Sequence, residues 1–165
     1  MDITIDGCDA RDYAAIVGIY NHYIETSHAT FDVTPFSVAA RNAWFCQFAL
    51  HGPYRLLVAR DGPAVIGFCC STALKSRPAY RQSVESTVYV AESALHRGTG
   101  RLLYRALFKQ LAQEELHRAY AAITLPNDAS IKLHESFGFE QIGVQHEVGY
   151  KFDRYWDVAL FEKCL

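Results

Sequence analysis

The sequence predicts an α/β fold, a mixed central sheet flanked by helices, on three observations. Short segments that alternate apolar and polar residues recur along the 165 residues, the two-residue period of strands. Other stretches repeat apolar residues at helical spacing. One of these, "GRLLYRALFKQLAQEE", lies between two strand-like segments and is long enough for a crossover, so the strands on either side of it run parallel. The strands before it are joined closely and run antiparallel. With half its residues apolar and neither an internal repeat nor a low-complexity linker, the chain reads as one domain over 1–165.

Each element has its own signal. Residues 3–5 alternate and give the first strand. Over 10–24, Ile16, Ile19, Tyr20 and Tyr23 mark a helix. "ETSHATFDVTPF" breaks that pattern with polar and β-branched residues and a proline. A second helix follows over 37–50, with Ser37 placed to cap it. "GPYRLLVARDGPAVIGFCCSTAL" is a hairpin, its strands at 55–59 and 65–74 joined by "RDGPA". "KSRPAYRQS" is a basic and aromatic loop. "VESTVYVAES" is a strand that leads through a glycine turn into a helix over 100–115. "AYAAITLP" is a buried strand and "NDASIKLHESFGF" a short helix closed by Gly138. "EQIGVQHEVGYKF" and "WDVALFEKC" form the last strand pair.

Bulk properties exclude several function classes. A net charge of −2 carries no basic stripe of the kind that grips nucleic acid, so any anion site is local. The five cysteines are odd in number and contain no CxxC pair, which suggests neither a disulfide framework nor a metal site. The opening "MDITIDGCDARD" is acidic and lacks the apolar core of a secretory signal. No apolar run approaches the roughly 20 residues of a membrane helix. The expected setting is a reducing cytoplasm, without membrane or nucleic-acid partners.

The chemistry begins at "LHRGTGRLLYRAL". A helix N-terminus presents unpaired N–H groups and partial positive charge, and so attracts phosphate. Gly98 and Gly100 lack Cβ atoms, which lets a diphosphate approach the backbone, and Arg97 and Arg101 flank the turn. The spelling fits neither a Walker loop, which needs Gly-Lys-Ser/Thr, nor the dinucleotide motif, whose third glycine is replaced by Leu103. On these residues alone, a tight strand-to-helix turn without a ligand is an equal reading.

The wider context resembles the GNAT acyltransferase superfamily. "TVYVAESALHRGTGRLLYRAL" followed by "LPNDASIKLHESFGFEQIG" is similar to its acetyl-CoA-binding core. "IYNHYIETSHATF", "VESTVYV" and "WDVALF" extend the similarity toward the phosphinothricin N-acetyltransferase branch, from about Ile16 to Phe161. The resemblance implies a GNAT-type acyl-CoA N-acyltransferase fold with a splayed parallel strand pair. It implies acetyl-CoA as co-substrate, held at the turn of His96, Arg97, Gly98, Thr99, Gly100 and Arg101 and by Asn127. Backbone N–H groups around Val88, Tyr89 and Val90 would face the thioester carbonyl. Leu95 stands where the family has Gln or Arg, a departure that backbone contacts tolerate.

A neutral-pH amino acid is an ammonium ion and needs a base before it can attack a thioester. The resemblance makes Glu85 that base, with His134 an alternative or cooperating base, and requires no metal. It also assigns Phe31, Lys75, Arg77, Tyr80, Tyr89 and Thr124 to the acceptor pocket, where a cation pair suits an acidic acceptor. The implied acceptors are phosphinothricin, methionine sulfoximine and methionine sulfone, and the implied assembly is a homodimer. Thr124 and the turn of Asp153, Arg154 and Tyr155 differ from the family pattern on the acceptor side. Another amine, a protein N-terminus, or a non-catalytic acyl-CoA-binding module on the same fold stand as alternatives.

Overall fold

The computed structural model describes residues 3–165. Its strands are β1 (Ile3–Gly7), β2 (Leu56–Asp61), β3 (Ala64–Ala73), β4 (Ser83–Val90), β5 (Arg118–Thr124), β6 (Glu140–Lys151) and β7 (Arg154–Cys164). They form one sheet in the order β1-β2-β3-β4-β5-β7-β6. Every neighbouring pair is antiparallel except β4–β5, which is parallel and is joined by the crossover containing α3 (Thr99–Leu111). The mixed sheet expected from the sequence is therefore present.

The two faces of the sheet carry different helices because strand side chains alternate. On one face α3 buries Leu103, Tyr104, Leu107, Phe108 and Leu111, a stripe at helical spacing. They pack on Leu57, Val84, Ala119, Ala121 and Ile123, and α4 (Asp128–Glu135) closes the same core with His134. On the other face α1 (Tyr13–Thr26) packs Ile16, Val17 and Ile19 against Val58, Phe68 and Cys70. Gly138, at φ +80°, ends the α4 segment as its position suggested.

The helix expected over 37–50 is largely absent. A 3₁₀ turn at Ala39–Arg41 runs into a single helical turn, α2 (Asn42–Phe45). Aromatic packing outcompetes helical continuation there. Phe45 stacks on Tyr13 at 3.7 Å, and Trp44 meets Phe48 edge-on at 4.7 Å. The chain then folds back, and Ala49 N–H donates to Tyr54 O at 3.1 Å. Ser37 does cap the segment weakly, its Oγ accepting from Ala40 N–H at 3.2 Å.

The α1 face is tied to the sheet margin by a buried charge. Asp12 is 2% exposed and lies 2.8 Å from the Arg60 guanidinium, which also reaches Asp6 at 3.4 Å. Removing the cation strands a buried carboxylate. Arg60→Met is expected to lower unfolding stability by about 3 kcal/mol, read from the urea midpoint at neutral pH.

Candidate active site

The site follows from one interruption in the sheet. β4 pairs with β3 at seven positions, from Gly67↔Val90 to Ala73↔Val84, but with β5 only at Ser83, Val84 and Glu85. Beyond Glu85↔Tyr120 the parallel strands separate, and the last tie is the Ser86 hydroxyl donating to Tyr120 O at 3.3 Å. A cleft of about 410 Å³ occupies the gap. Its walls are β4 from Ser86 to Val90, the end of β5, the first turn of α3 at Gly100, and α4.

One end of the cleft meets the glycine turn. Gly98 sits at φ +77° with no side-chain cap, and the first hydrogen bonds of α3 are Arg101 and Leu102 N–H donating to Gly98 O. The N–H groups of Thr99 and Gly100 therefore stay available. Thr99 turns its own hydroxyl inward to Ala94 O at 3.3 Å, so only its backbone faces outward. His96 also has positive φ, at 62°. The two arginines that flank the turn differ from each other. Arg101 is exposed, whereas Arg97 is bound to Asp61 at 2.8 Å and directed toward the β2–β3 hairpin. Leu95, at the family's Gln/Arg position, is 43% exposed and lines the cleft. Asn127 caps α4 through Oδ1, which accepts from Ser130 N–H at 3.1 Å; its amide nitrogen is left for the cleft it lines.

The two titratable candidates lie on opposite faces of the sheet: His134 lines the cleft, whereas Glu85 stands just before it at the last position where β4 pairs with β5. Glu85 alternates with the buried Val84 and Ser86 and so shares the α1 face with Thr87 and Tyr89. Burial pushes its carboxyl above the ordinary range. On the α3–α4 side, His134 is 3% exposed, and burial lowers its imidazole below the usual value, against a backbone hydrogen bond that raises it. Nδ1 lies 2.7 Å from Ser130 O, which can only accept, so Nδ1 carries the proton. Nε2 then accepts from the Tyr104 hydroxyl at 2.9 Å, and Tyr104 lies 3.4 Å from Ser86 Oγ. Burial raises the Tyr104 phenol strongly, so it stays protonated. Motif reading did not find Tyr104 or Ser86, although Tyr104 falls one helical turn after Gly100.

The residues assigned to the acceptor are scattered. Tyr89 and Thr124 line the cleft, but Lys75, Arg77 and Tyr80 are exposed in the β3–β4 connection, with the Lys75 ammonium 5.5 Å from the Tyr80 ring. Phe31 packs against Gly149, where an added Cβ would stand 2.2 Å from the ring. Its loop is fastened to the β6–β7 hairpin by buried Lys151, which donates to Ser27 O and Thr30 O, and by His28 stacked on Trp156 at 4.1 Å. Arg154 stacks on the same Trp156 ring at 4.1 Å. The Cys70 thiol is on the α1 face opposite Thr87, and burial pushes it up to about 12, with Arg41 opposing and Glu85 adding to the rise. Among the described residues no cluster of His, Cys, Asp or Glu could hold a metal ion.

Residues 16–139 match the Acetyltransferase (GNAT) family. This chain is a GNAT acetyltransferase. Across 94% of its length it is 48% identical to a phosphinothricin N-acetyltransferase of Streptomyces coelicolor, covering 92% of that protein. It is 34% identical over 98% of its length to an L-methionine sulfoximine/L-methionine sulfone acetyltransferase of Pseudomonas aeruginosa, covering 94% of it. The crystal structure of a Sinorhizobium meliloti GNAT phosphinothricin acetyltransferase in complex with AcCoA superposes with a TM-score of 0.94 at 31% identity, covering 100% of this chain and 89% of that one.

The GNAT cleft depends on the smallness of Gly100. A Cβ there would lie 3.2 Å from Leu133 and within 4 Å of Val88 and Val90. Gly100→Ala is expected to weaken coenzyme A binding by about tenfold, measured by isothermal titration, since crowding of this kind costs on the order of 1–3 kcal/mol.

Proposed function

We propose that the whole chain, residues 1–165, acts as one catalytic domain that transfers acetyl from acetyl-CoA to the α-amino group of a small amino acid. Phosphinothricin, methionine sulfoximine and methionine sulfone head the acceptor class. The observation that carries this reading is the separation of β4 from β5 immediately after Glu85. It sets the half-buried Glu85 carboxylate at the point where the strands part, next to the Ser86 and Thr87 wall of a cleft that runs to an anion-attracting helix end.

In this reading the diphosphate rests on the N–H groups of Thr99 and Gly100, and the pantetheine amides pair with the free edges of β4 and β5. Asn127 supplies an amide donor, and N–H groups near Val88 to Val90 polarise the thioester carbonyl. The amine arrives on the α1 face, where Phe31, Tyr89 and Thr124 bound the space and Lys75, Arg77 and Tyr80 form its basic outer rim. Glu85 removes the ammonium proton. The freed lone pair attacks the carbonyl carbon, and the carbon–sulfur bond breaks to release thiolate. No protein nucleophile takes part.

His134 works through Tyr104 rather than by direct contact, because both of its nitrogens are engaged. As the amide forms, the Tyr104 oxygen can accept the nitrogen's second proton while its own hydroxyl proton moves to Nε2, and the reverse transfer delivers a proton to the departing thiolate. The pair is a relay on the cofactor side of the gap.

A homodimer and a cytoplasmic setting belong to the same proposal. Ile142, Val148, Tyr150 and Tyr155 are each more than half exposed on β6 and β7, and β6 ends the sheet. Such a patch favours a second copy, which light scattering would detect. All five cysteines are free thiols, in keeping with a reducing compartment.

Release of free thiol from acetyl-CoA, followed with a panel of amino acids, tests the activity; silence with all three named acceptors rejects their class. Glu85→Gln is expected to lower kcat/KM by 10²–10⁴-fold, on the order of a general base's contribution. Because burial raises the Glu85 pKa, the base form is lost as pH falls through a value above the ordinary 4.5. The acid limb of the kcat/KM profile should therefore lie above that value and disappear in Glu85→Gln. Tyr104→Phe should lower kcat by about tenfold or more while KM for acetyl-CoA changes little.

A further inference from the structure

We propose that Arg41 is a specificity-determining residue that reads an anionic group of the acceptor, an assignment that rests on the amino-acid acetyltransferase reading above. Arg41 ends the 3₁₀ turn before α2. Its guanidinium carbon lies 4.3 Å from the Trp44 ring centroid, 4.9 Å from Phe36 and 5.0 Å from Tyr20. Three aromatic rings thus hold the group without using its hydrogen-bonding edge.

That edge has no protein partner. Among the described residues no carboxylate lies within ion-pair distance of Arg41 and no acceptor takes a hydrogen bond from it. Its nitrogens are not sealed in, since among the described residues the single buried side-chain polar atom without a partner is Asp61 Oδ1. Asp32 is near the same ring but accepts the Tyr20 hydroxyl instead. A planar fork of N–H donors, stacked in place and open to solvent, suits a carboxylate or phosphinate held by two parallel bonds.

Its position suits the acceptor. Tyr20, one of the three rings, meets Tyr89 edge-on at 5.1 Å, and Tyr89 shares the α1 face of β4 with Glu85. The buried Cys70 thiol feels both Arg41 and Glu85, in opposite senses. A cation and a carboxylate therefore flank the same patch of sheet, the arrangement that orients an amino acid with its acid toward one and its ammonium toward the other. Lys75 and Arg77 lie in exposed loop. A guanidinium already held by three rings loses less freedom on binding than an exposed loop side chain, so Arg41 supplies more of the discrimination.

The test compares kcat/KM for methionine sulfone, its primary amide and phosphinothricin in wild type, Arg41→Met and Arg41→Lys. The expected result is that Arg41→Met reduces the preference for the acid over the amide by about tenfold or more, the worth of one charge-assisted pair. Arg41→Lys, which keeps charge but loses the fork, should recover part of it. If the phosphinate is the group read, the preference for phosphinothricin over methionine sulfone falls instead. General loss of activity with both ratios unchanged makes Arg41 a packing residue and overturns the assignment. Wild-type protein that acetylates none of the three overturns the acceptor class, and this assignment with it, before any variant is made.

Discussion

A parallel strand pair that stops after three matched residues governs the site. Strand edges inside a protein are expensive, because each unpaired N–H or C=O forfeits a hydrogen bond worth about 1–3 kcal/mol. Part of that demand is met by side chains: Ser86 reaches Tyr120 O, and the Tyr23 hydroxyl donates to Val90 O at 2.7 Å. The remaining edges face a cleft. A ligand carrying amides in an extended arm answers that need, so the interruption in the sheet is a preformed binding surface.

The same interruption lies between titratable groups on the two faces of the sheet. Glu85 belongs to the α1 face, and Tyr104 with His134 to the α3–α4 face. Burial moves their protonation in opposite senses, raising the carboxyl and lowering the imidazole. The charged form of each is disfavoured for the same reason, loss of water. In the proposed reaction the acceptor and the acyl donor approach from the two faces and meet where the strands part.

Periodicity revealed most of this architecture, because alternation and helical spacing record burial directly. The strands β2 to β5 and the crossover helix α3 lie within a few residues of where the pattern puts them. The second helix failed because its apolar residues are aromatic and are claimed by Tyr13 and Phe68 across the core. The glycine turn was legible through the geometry it requires, yet Arg97 was not. Its partner Asp61 is 36 residues away in sequence, and nothing local signals that pairing. Tyr104 was hidden for another reason, since a tyrosine on an amphipathic helix face looks like ordinary core until His134 is seen against it. Likewise, three rings around Arg41 converge from separate segments.

Cys69 and Cys70 sit at the centre of the sheet, fully buried, and both thiols are pushed far from ionisation. Thiolates exchange readily with thioesters, whereas neutral thiols do not. An acyltransferase with a cysteine on the floor of its acceptor face would otherwise risk acylating itself. Keeping Cys70 un-ionised withholds the one form of its side chain that exchanges with a thioester.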